Sequence, residues 1–453
     1  MTDAAQPGPW GPRSAAAAMA AAEQAAARPA VPAAAAAAVP PAPTTRVGFT
    51  GQAGELFGLL VKGFLLQVVT LGIYRFWFIT DVRRYYWSHS FVGPEDLTYT
   101  GRGMELLKGF LIALAILLPI QAASFFILLG MPQAELVVSG TVFVLYLLLG
   151  QFAVYAGRRY RLTRTSFRGL RLRMTGSAWA YAFKAFGLWL GVIATLGLAY
   201  PWAAAAMERM KMRATWYGDV QGDFVGAPGE LFKRGIIIWL LALGLPLLVL
   251  LSVGLSISPD LWKSLFNAAG NGTLDRHPAA GMIIVALSAA GILAVTIPIL
   301  LFPAFQAVTF RWRMNGTRLG GASLSSTFTV GTSYGVYIIG GIAIFGVLLL
   351  MIVVGAILFG GVAAAIFARG TPALDSPVAG ITGVVLLALA YLLFIGAMWI
   401  AKQVLIDLRL YRARLASLAV VNLTALDGVR ANNVDASAMG DSLGDAVDFG
   451  FGV

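Results

Sequence analysis

Few of the residue types that usually perform chemistry in proteins occur in this sequence. Cysteine is absent, and histidine occurs only as His89 and His277. Residues 331–335, GTSYG, match the Gly-x-Ser-x-Gly turn of hydrolases, whose nucleophilic serine needs a histidine later in the chain. No histidine follows Ser333. We therefore predict that the protein is not an enzyme, and that it has no catalytic residues, no cofactor and no metal site.

Two lysines interrupt hydrophobic stretches of the chain, at Lys62 and Lys184. A charge at the centre of a membrane helix costs at least about 2.5 kcal/mol and often marks a transport pathway. Both lysines lie near the start of their stretch, so their side chains could instead extend to the aqueous interface. We keep both residues as candidates for a substrate site or a structural site.

Two glutamates, Glu105 and Glu230, stand at predicted helix starts, 125 residues apart. A carboxylate there interacts favourably with the positive end of the helix dipole. The alternative is that they form ion pairs with Arg84 and Arg209, which are separated by the same 125 residues. Both glutamates are candidate structural or substrate residues.

Seven arginines occur between residues 158 and 173. Each basic residue close to an anionic membrane surface contributes about 1 kcal/mol of attraction, so the cluster could contact lipid headgroups. Basic loops beside membrane helices are usual, so an ordinary orientation signal in a cytoplasmic loop is the favoured interpretation. RNA binding is the weaker alternative, so we expect membrane lipids as partners and no nucleic acid. The candidate headgroup contacts are Arg158, Arg159, Arg161, Arg164 and Arg168.

The composition determines which kind of structure must position these residues. The 453 residues are 58% hydrophobic and 12% charged, with a mean hydropathy of +0.79. Soluble domains are about 25% charged, so a soluble globular enzyme is excluded. The sequence predicts an all-α polytopic membrane protein. Its hydrophobic segments are 57–80, 109–130, 136–156, 178–207, 235–257, 281–309, 333–367 and 377–401.

The distribution of positive charge predicts how these segments cross the membrane. If the first and fourth segments are re-entrant or interfacial hairpins and the other six cross fully, 27 of the 33 Lys and Arg residues lie on one side. Positive residues favour the cytoplasmic side, so both termini are expected there. The two histidines then lie on opposite sides. The alternative for the first segment is one ordinary tilted helix.

An internal repeat supports this division. Shifting the chain by 125 residues aligns TLGIYRFW, which begins at Thr70, with TLGLAYPW, which begins at Thr195. A fainter third copy begins near Arg311 and lacks the TLG sequence. Membrane proteins built from repeats often bind substrates where helices are broken, so the TLG turns are the best site candidates. The candidate residues are Thr70, Gly72, Trp77, Thr195, Gly197 and Trp202.

The repeat defines the predicted domain organisation. Period-two patterns near residues 97–100, 170–175 and 323–329 predict minor cytoplasmic β elements beside the helices. An Ala/Pro-rich composition at the amino terminus predicts disorder. The predicted regions are a disordered tail (1–45), membrane repeat 1 (46–157), membrane repeat 2 (158–310), degenerate membrane repeat 3 (311–421) and an acidic cytoplasmic tail (422–453).

Several motifs resemble those of a known family. FTGQAGELF, TLGIYRFW, RRYYW, LTYTGRGMELLKG and TRLGG are similar to the YjgN family of bacterial inner-membrane proteins, catalogued as domain of unknown function 898. The resemblance covers about residues 46–453. It implies a multi-pass protein of the bacterial inner membrane but no reaction, because the family's activity is not established. The long Ala/Pro tail and the weakened third copy depart from the family pattern.

Two functional hypotheses follow from these observations. Repeats and broken helices favour membrane transport of a small molecule or lipid, which is the leading hypothesis. The alternative is a structural or envelope-maintenance protein that binds lipids or partner proteins through its basic cytoplasmic face. The sequence identifies no cargo and no protein partner, and it leaves homo-oligomerisation open.

Overall fold

The computed structural model describes residues 43–273, 280–368 and 377–431. The predicted tails at 1–45 and 422–453 therefore lie largely outside the described residues. The helices are α1 (Ala53–Val69), α2 (Arg75–Ser88), α3 (Gly103–Gly130), α4 (Glu135–Thr163), α5 (Ala178–Ala194), α6 (Tyr200–Arg213), α7 (Pro228–Trp239), α8 (Leu245–Ser256), α9 (Pro259–Gly270), α10 (Ala280–Gly316), α11 (Val330–Ala368), α12 (Pro377–Lys402) and α13 (Leu408–Ala416).

Within the described ranges, six helices are long and apolar enough to cross a membrane. They coincide with the second, third and fifth to eighth hydrophobic segments of the sequence, so the helical part of the prediction of an all-α polytopic membrane protein is confirmed. π-helical turns at Leu240–Gly244 and Gln403–Asp407 join α7 to α8 and α12 to α13. The spans are Gly103–Gly130, Pro132–Thr163, Pro228–Ser256, Gly281–Gly316, Val330–Ile357 and Val384–Ala416.

The first and fourth hydrophobic segments each form two shorter helices, α1 with α2 and α5 with α6. Both pairs consist of a helix of 17 residues followed by one of 14. A helix of 17 residues rises about 25 Å, less than the hydrocarbon thickness of about 30 Å. The first helix of each pair is therefore shorter than a full span, and we call each such helix pair a short hairpin.

The strands of the described residues form one antiparallel sheet of eleven members. Its order is β3-β2-β1-β11-β10-β9-β8-β7-β6-β5-β4. The strands are β1 (Thr44–Phe49), β2 (Ser90–Val92), β3 (Glu95–Asp96), β4 (Thr98–Tyr99), β5 (Thr165–Phe167), β6 (Leu170–Met174), β7 (Thr215–Tyr217), β8 (Val220–Phe224), β9 (Thr317–Leu319), β10 (Ala322–Ser326) and β11 (Leu418–Val421).

The two ends of this strand order are successive pieces of one extended segment. Strands β3 and β4 are separated only by Leu97, whose amide donates to the Ser90 carbonyl at 3.0 Å. Three residues later, the Thr100 amide donates to the carbonyl of Arg164 at 2.8 Å. The segment therefore pairs with β2 on one side and with β5 on the other, and the sheet nearly closes into a ring. We call it the β ring.

The β ring corrects the prediction of an all-α fold with only minor β elements. Its strands are two to six residues long, and isolated strands or pairs of that length are at best marginally stable in water. Stability comes from pairing between distant parts of the chain, as where Thr44 lies opposite Val421. Such long-range pairing has no local sequence signal.

Apolar side chains on one face of the strands line the inside of the β ring. Phe167, Tyr217, Ala322 and Val420 are all buried in one cluster. Alternate residues of a strand face opposite sides of a sheet, so each short strand contributes one or two residues to this interior. The β ring therefore has its own apolar core, separate from the cores between the helices.

Residues Asn422–Arg430, near the end of the described range, cover one end of the β ring, and we call them the C-terminal cap. Leu423 and Leu426 of its short 3-10 helix are buried in the ring interior. The cap also bonds to three hairpin turns of the ring. These contacts are Arg168 Nη1 to Asp427 Oδ1 at 2.7 Å, the Arg430 amide to Asp219 Oδ1 at 3.1 Å, and Asn422 Nδ2 to the Gly321 carbonyl at 3.2 Å.

Candidate functional site

The two TLG turns have the same local geometry. Thr70 ends α1, and its hydroxyl donates to the Leu66 carbonyl at 2.7 Å and accepts from the Tyr74 amide at 2.9 Å. Thr195 makes the equivalent bonds at the end of α5. The next residues enter the left-handed region, with φ of 91° at Gly72 and 90° at Gly197. Glycine adopts this conformation without strain, which explains why both helices end there.

Each TLG turn presents an apolar tip. Leu71 is 93% exposed and Leu196 is 61% exposed. Val69 and Ile73 beside the first tip are also exposed. An apolar tip that projects from the protein is typical of a surface that contacts lipid.

An apolar pocket of about 260 Å³ lies beside the second TLG turn. Its lining includes Gly197, Tyr200, Trp239 and Phe305. Trp239 Nε1 donates to the Leu196 carbonyl at 2.7 Å, which fixes the turn against the neighbouring span. The π-helical turn at Leu240–Gly244 contributes two further lining residues. Wider turns of this kind occur frequently at functional sites.

The first TLG turn differs from the second in its surroundings. A methyl group added at Gly197 would lie 3.2 Å from Trp239 Nε1, whereas one added at Gly72 would meet no atom within 4 Å. The tryptophans after the two turns also differ. Trp77 lies against Gly103 at the start of α3, whereas Trp202 is 49% exposed and contacts the Phe232 ring at a tilt of 52°. The structure therefore places only the second turn beside this pocket.

The remaining single candidates occupy different environments. Lys62 and Lys184 are exposed on the short hairpins, and Glu230 is exposed in the first turn of α7. Glu105 accepts from Arg164 in a bidentate pair, with both contacts at 3.0 Å, and from the Tyr160 hydroxyl at 2.8 Å.

The alternative pairing of Glu105 with Arg84 is wrong. Arg84 Nη2 donates instead to the Gly101 carbonyl at 2.9 Å. At the corresponding position in the second repeat, Arg209 Nε donates to the Phe224 carbonyl at 3.4 Å. Both arginines therefore bind the backbone of the β ring or of the turn that follows it, because their helices end beside the strands.

We expect Glu105→Gln to lower the free energy of unfolding by about 1.5–3 kcal/mol, because Arg164 and Tyr160 lose a charged acceptor. The measurement is thermal or denaturant unfolding of the purified protein in detergent. Glu230→Gln is the matched control, because that carboxylate is exposed at a helix start and contributes about 0.3–1 kcal/mol there. Equal losses for the two variants would contradict the prediction.

The structure uses the predicted headgroup arginines for contacts inside the protein. Arg159 Nη1 donates to the Gly176 carbonyl at 2.9 Å, Arg164 pairs with Glu105, and Arg168 pairs with Asp427. Arg161 also has a partner within the protein. The described contacts of these arginines are therefore with other residues of the protein. Contact with lipid headgroups stays a prediction.

The most buried charged cluster was not predicted from the sequence. Glu208, 4% exposed, lies at the end of α6 among three cations. Lys211 Nζ is 2.8 Å from Oε1, Arg313 Nε is 3.0 Å from Oε1, and Arg158 Nη1 is 3.7 Å from Oε2. We call this group the Glu208 cluster.

Two opposing effects act on the pKa of Glu208. Burial raises the pKa of the carboxyl. The positive charges of Lys211, Arg313 and Arg158 together lower the pKa by a larger amount, so it falls below its ordinary value. Burial has the opposite effect on Lys211 and lowers the pKa of its amine despite the adjacent carboxylate. In the sequence, the spacing of Glu208 and Lys211 on one helix face was a local signal for half of this cluster.

A second cavity, of about 280 Å³, lies inside the β ring. Apolar side chains of several strands line it, together with Leu423 and Leu426 of the C-terminal cap. Arg158 and Met212 line it near the helix ends. The Glu208 cluster therefore adjoins this cavity through Arg158.

Of the two histidines, the structure describes only His89. His89 Nε2 lies 3.7 Å from Glu55 Oε2, and its Nδ1 is 2.7 Å from the Tyr85 carbonyl. His277 lies outside the described residues. In the part of the chain that the structure describes, no three His, Cys, Asp or Glu side chains converge as metal ligands. Ser333 is buried within the first turns of α11.

Comparison with known proteins agrees with the sequence resemblance. The model of a family described as bacterial protein of unknown function (DUF898) matches residues 44–446. Inner membrane protein YjgN of Salmonella typhimurium strain LT2 is 28% identical over 138 residues, which are 30% of this chain and 33% of that protein. The match thus spans about a third of the relative's length. No solved structure matches the chain.

Proposed function

The chain belongs to the DUF898 family of bacterial proteins, and on that premise we propose that it is a non-enzymatic inner-membrane transporter of a small apolar or amphiphilic molecule such as a lipid. The single observation that carries the proposal is the apolar pocket beside the second TLG turn. Ligand sites are typically concave and mostly apolar, with a few polar groups. The name of the Salmonella relative supports the inner membrane as the location.

Three features of the pocket favour transport. Its walls come from α5, α6, α7 and α10, so it lies between a short hairpin and two spans. The π-helical turn at Leu240–Gly244 interrupts the regular hydrogen bonding of one of those spans. The exposed apolar tip at Leu196 adjoins the pocket, which would let a lipid-soluble molecule reach it from the bilayer.

The proposal includes a topology of six full spans and two short hairpins that enter the membrane from the cytoplasmic side. The repeat of helices of 17 and 14 residues in both hairpins supports it, as does the convergence of their following strands on one β ring. The β ring and both termini would then be cytoplasmic. The excess of basic residues on that side is the charge pattern that orients membrane proteins.

Cysteine labelling tests this topology, because the natural chain has no cysteine. Ser88→Cys and Ser177→Cys place single thiols at exposed positions, one after the first short hairpin and one before the second. We expect both to react with a membrane-impermeant maleimide only when the cytoplasmic side is accessible. Asn267→Cys, exposed on α9, is the control and should react from the opposite side. Opposite-side reactivity of Ser88→Cys or Ser177→Cys would contradict the topology.

A lipid-flux assay tests the transport proposal. The full-length protein is reconstituted into liposomes containing NBD-phosphatidylethanolamine, and transbilayer movement is followed by dithionite quenching. We expect faster movement than in protein-free vesicles. Ala242→Phe should return the rate to that of protein-free vesicles, because Ala242 lines the pocket and a phenyl ring would fill it.

The two TLG glycines provide a matched pair for the same assay. Gly72→Ala and Gly197→Ala each place a side chain in the left-handed region, at a cost of about 1–2 kcal/mol. Only Gly197→Ala also displaces Trp239 at the pocket. We therefore expect Gly197→Ala to slow the flux more than Gly72→Ala does. Wild-type flux equal to that of empty vesicles, or no effect of Ala242→Phe, would overturn the proposal.

A further inference from the structure

The cavity inside the β ring is partly enclosed by the fold itself. Strands of the ring form its wall, Leu423 and Leu426 of the C-terminal cap close one end, and Arg158, Leu162 and Met212 from the helix ends lie at the other. Its volume of about 280 Å³ is close to the lower limit of about 300 Å³ for small-molecule sites. A compact ligand or one extended chain would fill it.

The charged residue of this lining has too few acceptors. Arg158 Nη1 is 3.7 Å from Glu208 Oε2, beyond hydrogen-bond distance, and Nη2 faces the weakly accepting sulfur of Met212 at 3.2 Å. Among the described residues, Arg158 Nε has no hydrogen-bond partner. A guanidinium carries five N–H donors, so most of those on Arg158 lack a strong acceptor within the protein, and 28% of its side chain is accessible to a ligand or to solvent.

The neighbouring polar groups do not supply the missing acceptors. The hydroxyls of Thr215 and Thr317, which also line the cavity, donate to the carbonyls of Lys211 and Arg313, both at 2.9 Å. Glu208 is shared among three cations, which leaves the cluster with an excess of positive charge. An anion at the Arg158 end of the cavity would compensate that charge.

We propose that the β ring binds a single-chain amphiphile with a carboxylate head, that is, a fatty acid, with its head on Arg158 and its chain along the apolar interior. A carboxylate can form two parallel hydrogen bonds with a guanidinium. The side chains of Phe167, Leu324 and Val420 offer the apolar surface that an acyl chain requires.

The C-terminal cap offers a route of entry to this site. Its ion pair between Arg168 and Asp427 is largely solvent-exposed, since 58% of the Asp427 side chain is accessible. Exposed ion pairs contribute about 0–1 kcal/mol, so this pair adds little to the cost of separating the cap, which comes mainly from the burial of Leu423 and Leu426. This inference does not depend on the proposed transport, because the ring cavity and the membrane pocket have different linings.

Photolabelling of the full-length protein in lipid nanodiscs tests the proposal. The probe is a dodecanoic acid with a terminal diazirine, and the control is the alcohol of the same chain. Labelled peptides are mapped by mass spectrometry. We expect the acid to label the ring strands β9, β10 and β11, and the alcohol to label them about tenfold less, because it cannot form the charged pair with Arg158.

Three variants locate the site. Arg158→Gln should reduce ring labelling by the acid about tenfold, whereas Arg171→Gln, exposed on strand β6, should not change it. Ala322→Phe keeps Arg158 but fills the cavity, and it should abolish ring labelling. If Arg158→Gln does not fold, Arg158→Lys and Ala322→Phe provide the same test. Labelling confined to the spans, equal labelling by acid and alcohol, or full labelling of Ala322→Phe would overturn the proposal.

Discussion

Glu208→Gln is expected to lower the free energy of unfolding by about 3–5 kcal/mol, the loss that follows when one partner of a buried ion pair is removed. Glu208 is 4% exposed, and its carboxylate holds Lys211, Arg313 and Arg158 together. An amide leaves these three cations facing one another without a counter-charge. Thermal and denaturant unfolding of the purified protein in detergent measure the loss.

Glu135→Gln is the control for this prediction. Glu135 is exposed in the first turn of α4, where a carboxylate contributes about 0.3–1 kcal/mol. A loss for Glu208→Gln as small as that of Glu135→Gln would contradict the account of the Glu208 cluster.

The same glutamate predicts a pH dependence of stability. The pKa of Glu208 is lower in the folded protein than its ordinary value of 4.5, so its contribution is complete above pH 4.5 and is lost as the pH falls through the lowered pKa. Glutamine does not titrate, so position 208 contributes no pH-dependent stability in the Glu208→Gln variant. The difference in stability between wild type and Glu208→Gln should therefore be constant near neutral pH and narrow in acid. A stability difference that grows as the pH falls would contradict the lowered pKa of Glu208.

Trp312→Ala is expected to cost about 3–5 kcal/mol, the range for truncating a large buried aromatic side chain. Trp312 is 2% exposed at the end of α10. Its ring lies 4.9 Å from that of Phe224 in strand β8, and its Nε1 donates to the Ala227 carbonyl at 2.9 Å. One side chain therefore joins the span that contains α10 to the β ring and to the turn before α7.

Two further tryptophan variants separate packing from hydrogen bonding. Trp312→Phe keeps most of the ring packing and should lose about 1–3 kcal/mol, because the Ala227 carbonyl loses its donor. Trp262→Ala, at a position that is 38% exposed on α9, should cost much less than Trp312→Ala. Hydrogen exchange should also show faster exchange of the amides of β8 in Trp312→Ala. Protection of β8 that is unchanged in that variant would argue against Trp312 as the link between span and ring.

The site predictions were informative where the signal was local. The TLG sequence predicted where the two short hairpins break, because a glycine that follows a helix and must adopt positive φ is visible in the sequence. The repeat did not reveal that the two turns have different surroundings. Trp239 lies 42 residues after Gly197, and only folding brings its indole against the second turn.

The arginines show the limit of reasoning from charge alone. A dense basic loop between residues 158 and 173 predicted headgroup contacts, but in the structure Arg164 and Arg168 pair with Glu105 and Asp427. The number of arginines in a loop can be read from the sequence. Which distant carboxylates lie within 4 Å of them cannot, and those carboxylates determine whether the arginines remain available for lipid.

The sequence by itself determined that this is a membrane protein, because apolar segments long enough to cross a bilayer are not stable when exposed to water. It also determined the helix breaks, through glycines at the ends of α1 and α5. The tertiary structure alone decided the β ring, the Glu208 cluster and the cavity near Arg158. Each of these depends on contacts between segments tens to hundreds of residues apart, as where β1 pairs with β11, and no short stretch of chain encodes such a contact.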